Sequence, residues 1–160
     1  MAKVYVSIGS NIEKQKHIKV CLQELAEQFS NLVLSPIYES EAIGFEGDTF
    51  YNLVAKFDTD LTVGELSKAF KEMEDKYGRN RGGPKFGSRT LDVDILTYDD
   101  LIGDIDGVQL PRDEITKNAF VLLPLADIAP DELHPEQQVS YARLWFFFDK
   151  ELQNLWQVTL

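Results

Sequence analysis

Asp92 and Asp94 are spaced for shared chemistry. In an extended segment, residues two apart project from one face, with α-carbons about 6.5 Å apart. Two carboxylates on one face repel unless positive charge lies between them. Magnesium held by carboxylates and substrate phosphates supplies that charge. Such a pair can also carry two ions that bridge the attacking and leaving sides of a phosphoryl group. Standing alone, Asp-x-Asp is a weak motif, and the polar face of an exposed strand is the commoner reason for it.

The preceding residues favour the metal. Between Lys76 and Arg89 the chain carries Lys76, Arg79, Arg81, Lys85 and Arg89 and no acid. That is five of the 16 basic residues within 14 consecutive positions, in a chain of net charge −11. Gly78, Gly82, Gly83, Pro84 and Gly87 share the stretch, so the cations ride on a loop free to change shape. Arginine offers phosphate a two-pronged fork, and glycine-rich lids over phosphates exclude water during transfer. Cations running into a two-carboxylate strand point to a magnesium–phosphate site. A weaker set is Phe50, Asn52 and Phe120, since rings and an amide suit a flat heteroaromatic ligand. The residues alone favour a core position for Phe120. His17 and His134 lie outside these segments, which disfavours histidine-based catalysis.

These groups need a scaffold. Val4, Val6 and Ile8 alternate with Tyr5 and Ser7 as in a strand, which Gly9-Ser10-Asn11 ends. Ile18, Cys21, Leu22, Leu25 and Phe29 recur at helical spacing and predict a helix over about 13–29. Residues 32–40 read as a second strand, with Pro36 at an edge or bulge. Residues 50–58 read as a third, with Leu53, Ala55 and Phe57 inward and Phe50, Asn52 and Val54 opposite. Thr62-Val-Gly-Glu65 is a capping box that opens a helix over about 62–77, striped by Val63, Leu66, Phe70, Met73 and Tyr77. Residues 89–98 make the fourth strand, and residues 41–49 and 78–88 are loops. The order predicts an α+β fold: a ferredoxin-like βαββαβ core with C-terminal helical additions at 119–129 and 141–148 and a terminal strand at 156–160. Residues 1–160 read as a single domain.

Composition sets the outer limits. With 44% hydrophobic and 27% charged residues the chain is an ordinary globular mixture. The net charge of −11 argues against a general nucleic-acid binder. The one cysteine, Cys21, excludes an internal disulfide and a cysteine-built zinc site, and its place on the apolar stripe predicts core packing. The first residues begin a strand and lack the apolar core of a signal peptide. The longest apolar run, 119–129, is too short to span a bilayer, so the expectation is a cytoplasmic protein without a membrane partner.

Several motifs together resemble the 6-hydroxymethyl-7,8-dihydropterin pyrophosphokinase family. They are Asn52, Arg79-x-Arg81, Phe86-Gly87-Ser88-Arg89-Thr-Leu-Asp92-Val-Asp94-Ile, and Leu110-Pro111 with Ala119-Phe120-Val-Leu-Leu-Pro-Leu. Ser7-Ile-Gly-Ser-Asn11 fits the family's opening strand-to-helix turn, and the elements keep the family's order from about residue 3 to 135. The resemblance implies a folate-pathway enzyme that moves the terminal diphosphate of ATP to the hydroxymethyl oxygen of a reduced pterin and releases AMP. It implies two magnesium ions on Asp92 and Asp94, with Arg79 and Arg89 on the transferring phosphates. Phe50 and Phe120 would sandwich the pterin, Asn52 would bond its edge, and Ser40, Ile43 and Gly44 would line the pocket. Lys71, Glu74, Arg81, Lys85 and Phe86 would lie on the nucleotide side.

The chain departs from the family's pattern at Ser88, at Asn118, and at Arg112-Asp113, which stand where the family usually has histidine and often an aromatic. We expect Arg112 to take over a phosphate contact there, with Asp113 orienting it. Two other readings are a paralogue acting on a pterin with a longer side chain and a non-catalytic pterin or nucleotide binder. The full set Arg79, Arg89, Asp92 and Asp94 favours catalysis, since a binder has no need of it.

Overall fold

Strand alternation builds β1 (Ala2–Ser10), whose Val4, Val6 and Ile8 are fully buried on one face. The computed structural model describes residues 1–41, 47–78, 90–151 and 153–160. Next, α1 (Lys14–Gln28) buries Ile18, Cys21 and Leu25 along the stripe that the spacing predicts. Burial pushes the Cys21 thiol up to about 12, so it packs as a small hydrophobe.

The single strand expected over 32–40 is in fact two, β2 (Ser30–Leu34) and β3 (Ile37–Ser40), parted by Ser35-Pro36. Proline brings no N–H to a ladder. Ser35 holds the break against β4 (Phe50–Thr59): its N–H donates to the Val54 carbonyl at 2.9 Å, and its Oγ accepts the Val54 N–H at 2.9 Å.

The capping box forms as expected at α2 (Val63–Lys76). Thr62 Oγ1 accepts the Glu65 N–H at 3.2 Å and Glu65 Oε1 accepts the Thr62 N–H at 2.9 Å. Such a cap contributes about 1 kcal/mol. The fourth strand of the core is β5 (Asp92–Tyr98). Two elements beyond it were not expected. A hairpin joins β6 (Gly103–Ile105) to β7 (Val108–Leu110) through Asp106-Gly107, both at positive φ, and a single turn forms α3 (Glu114–Lys117). The expected additions then appear as α4 (Ala119–Ile128), α5 (Tyr141–Phe147) and β8 (Leu155–Val158).

The main sheet runs β5-β1-β4-β3-β8, with β2 also on β4, and every pairing is antiparallel. β1 therefore lies between β5 and β4, the ferredoxin-like order expected. On one face α1 and α2 cover Val4, Val6, Ile8, Leu53, Ala55, Phe57, Leu91, Val93 and Ile95. On the other, α3, α4 and α5 pack Ile115, Val121, Leu122, Leu125 and Tyr141 onto Tyr5, Val54 and Leu96. Among the described residues, no helix is long and apolar enough to cross a membrane.

Register decides what this second face presents. Gly9 sits opposite Asn52 on one side and Asp92 on the other, and Ser7 sits opposite Asp94. Partners across a ladder share a face. The carboxylates of β5 and the amide of β4 thus flank the same end of β1.

Candidate active site

Three carboxylates converge at the start of β5. Asp92 and Asp94 come from the strand, and Glu74 reaches them from α2. Glu74 is only 4% exposed, and its Oε2 accepts the Val93 N–H at 2.8 Å, which fixes the carboxylate against the strand. One ligand oxygen from each of Glu74, Asp92 and Asp94 lies within 4.8 Å of the others. An all-oxygen, all-carboxylate set of this size fits a hard divalent cation such as magnesium.

The electrostatics agree. The Asp94 carboxyl is pushed up to about 7, first by burial and next by the charge of Asp92. Arg112 pulls it the other way, while Glu114 and Glu74 push it further. A cation among these oxygens would relieve the crowding.

Arg112 stands beside this group. Its N–H donates to the Leu96 carbonyl at 2.9 Å, which docks the residue on β5. The guanidinium Nη2 lies 3.6 Å from Asp94 Oδ2, while Nη2 and Nε donate to Glu114 Oε1 at 2.7 and 3.2 Å. The orientation expected from Asp113 does not occur. Asp113 pairs with Lys117 at 2.9 Å, because residues four apart meet on one helical face. Glu114 does the orienting instead.

Of the residues assigned to a flat ligand, Ser40, Phe50 and Asn52 lie along the same sheet end. Ser40 and Asn52 are buried at 4% and 8% exposure, and Asn52 Nδ2 donates to Ser40 Oγ at 3.1 Å. Asn52 Oδ1 points at Gly9, where an added Cβ would sit 2.8 Å away. The amide thus lies across β1, β4 and β3 in one orientation. Phe50 opens β4 and Phe120 occupies the first turn of α4, both half-buried. Phe120 packs against the cluster of Tyr5, Val54 and Leu96.

On the nucleotide side, Lys71 is exposed on α2, and Glu74 belongs to the carboxylate group. Ile43, Gly44, Arg79, Arg81, Lys85, Phe86 and Arg89 lie outside the described residues. Three contributions escaped the sequence reading: Glu74 among the carboxylates, Glu114 beside Arg112, and the room Gly9 leaves for Asn52. Glu74 had a visible signal, since it stands four residues after Phe70 and so falls on the apolar stripe. The other two depend on contacts between elements.

Comparison with known proteins matches residues 5–130 to the family model for 7,8-dihydro-6-hydroxymethylpterin-pyrophosphokinase. The 2-amino-4-hydroxy-6-hydroxymethyldihydropteridine pyrophosphokinase of Aquifex aeolicus is 35% identical over 137 residues, covering 84% of this chain and 85% of that protein. The folic acid synthesis protein FOL1 of Dictyostelium discoideum is 36% identical over 146 residues, which cover 88% of this chain. The chain spans only 22% of that longer relative. A Plasmodium falciparum HPPK-DHPS crystal structure shares the fold with a TM-score of 0.72 at 12% identity, over 99% of this chain and 47% of that one.

Proposed function

We infer that this chain, which belongs to the 7,8-dihydro-6-hydroxymethylpterin-pyrophosphokinase family, is an ATP-dependent transferase that makes a pterin diphosphate for folate synthesis. ATP is the co-substrate. The hydroxymethyl oxygen of 6-hydroxymethyl-7,8-dihydropterin forms a bond to the β-phosphorus of ATP. The bond from that phosphorus to the oxygen shared with the α-phosphorus breaks, and AMP leaves with the oxygen. The observation that carries this reading is the convergence of Glu74, Asp92 and Asp94 at the sheet end that also presents Asn52 and Ser40.

The division of labour we propose joins the geometry of the described residues to the roles that the family resemblance implies. Asn52, fixed by Ser40 and Gly9, bonds the pterin edge, while Phe50 and Phe120 stack on its faces. Ile43 and Gly44 would line the pocket, as the family resemblance implies. Asp92 and Asp94 would hold magnesium, two ions in our reading, whose charge would neutralise the phosphates. Arg112, positioned by Glu114, offers an always-charged donor beside Asp94. As the family resemblance implies, Arg79 and Arg89 would contact the transferring phosphates, and Lys71, Arg81, Lys85 and Phe86 would serve the nucleotide side, while Glu74, expected there too, belongs with the carboxylates. Phosphoryl-type transfer depends on positioning and charge neutralisation more than on covalent chemistry, and these residues supply both. We read residues 1–160 as one such domain, working in the cytoplasm on small molecules.

Phosphorus NMR of a mixture with ATP, magnesium and 6-hydroxymethyl-7,8-dihydropterin tests the reading. AMP and a pterin diphosphate ester are expected. ADP with a pterin monophosphate would overturn it, and so would turnover only with a longer-chain pterin.

A further inference from the structure

Two walls bound the stacked ligand of the proposed pterin site. One is the sheet end that carries Ser40, Phe50 and Asn52, and the other is the start of α4 with Phe120. They are far apart in sequence. A third segment, close to the C-terminal end of this sequence and outside the family match of residues 5–130, touches both.

Its first contact is with α4. Gln153 Oε1 accepts the Ala119 N–H at 2.7 Å, and Gln153 Nε2 donates to the Lys117 carbonyl at 3.2 Å and to Asn118 Oδ1 at 3.2 Å. Ala119 opens α4, and its N-cap Asn118 makes no side-chain cap of its own. Gln153 therefore satisfies a donor that the helix start would otherwise leave to water. Phe120 is the next residue.

The second contact is with the sheet. β8 pairs with β3 so that Leu155 faces Ser40 and Trp156 faces Glu39. The Trp156 Nε1–H donates to Glu39 Oε1 at 2.9 Å. Glu39 Oε2 in turn accepts from the Thr49 hydroxyl and from Lys14 Nζ at 3.2 Å. Lys14 also donates to Thr49 Oγ1 at 2.6 Å and lies 4.9 Å over the Tyr51 ring. A lysine in the first turn of α1 opposes the helix dipole, and its position is explained by this reach. Ser40 follows Glu39, and Phe50 follows Thr49. Glu39 and Ser40 project from opposite faces of β3, so a clasp on the back of the sheet fixes the strands whose front carries the ligand residues.

We propose that residues 153–158 act as a positioning strap that sets the separation of the two pterin walls, through Gln153 on α4 and Trp156 on Glu39. The inference rests on the pterin site proposed above. Among the described residues, the strap's bonds run to the start of α4 and to β3, so it acts on pterin binding and leaves ATP binding alone.

Equilibrium affinities for pterin and for ATP, measured separately on Gln153→Ala, Trp156→Phe and Asn52→Ala chains of residues 1–160, test it. Trp156→Phe removes the donor and leaves an aromatic ring in place, so it guards against a fold that fails. Each strap variant should weaken pterin binding about three- to tenfold, the size of one lost hydrogen bond, with ATP affinity unchanged. Equal loss of ATP and pterin affinity would show general weakening and overturn the strap. Unchanged pterin affinity in both strap variants would also overturn it while Asn52→Ala still weakens binding. If Asn52→Ala is without effect as well, the pterin-site reading falls too.

Discussion

Gly9 and Asn52 are matched across the β1–β4 ladder: Asn52 Oδ1 occupies space only 2.8 Å from where a Cβ on Gly9 would stand. The obstructing atom is the tip of a flexible side chain, so a larger residue at position 9 displaces the amide rather than the backbone. Gly9→Ala should therefore still fold, at about 1–3 kcal/mol lower stability if the Asn52–Ser40 bond is lost, yet bind pterin about five- to twentyfold more weakly, the scale of a misplaced hydrogen bond. In an Asn52→Ala background the same change should add little, because the displaced group is gone. Additive losses in that double-mutant cycle would contradict the match.

Arg112 is held by Glu114 at 2.7 Å and stands 3.6 Å from Asp94. Arg112→Ala should cost ATP affinity roughly 1.5–3 kcal/mol, as expected for a charged hydrogen bond, and spare pterin affinity. Arg112→Lys should recover part of the loss, since charge remains and the fork does not. Calorimetry at low and moderate salt checks both. Unchanged ATP binding in Arg112→Ala would make the residue a bystander.

His134 gives a pH signature away from the site. Its Nδ1 accepts the backbone N–H groups of Glu136 and Gln137 at 3.2 and 3.1 Å, so the ring is neutral in the fold. Burial lowers its pKa below the ordinary value, against a smaller upward pull from Glu136. The unfolded chain therefore takes up its proton first, near about 6.5. Stability is lost as pH falls through that value towards the folded one, and none is lost above it. Between pH 7.5 and 5.5 the wild type should lose more melting temperature than His134→Gln. Parallel curves would contradict this assignment.

Local rules made much of the fold legible. The capping box at Thr62 and Glu65, the stripe from Val63 to Met73 and the alternation in β1 each encode their element within a few residues. The hairpin at Asp106-Gly107 was equally local, since two successive residues at positive φ favour such a pair. Its strands are only three residues each, too short for alternation to mark. Asp92 and Asp94 were readable from spacing. The partner of Arg112 was not, because nothing in the order Arg112-Asp113-Glu114 says which acid the following turn sends towards Lys117. Asp-x-x-x-Lys spacing makes that choice, and it is visible only once α3 exists. The break at Ser35-Pro36 was half legible: proline marked it, while the ladder bond taken by the Ser35 hydroxyl needed β4 alongside.

The most direct test of the carboxylate centre is the rate of AMP formation from ATP and 6-hydroxymethyl-7,8-dihydropterin, with magnesium, in the wild type beside Asp92→Ala and Asp94→Ala. Both variants should fold and keep pterin affinity, because Asn52, Ser40 and Gly9 are untouched. Loss of the metal-held charge should cost several kcal/mol in the transition state, at least a few hundredfold in rate. AMP formation at the wild-type rate in either folded variant would contradict the account.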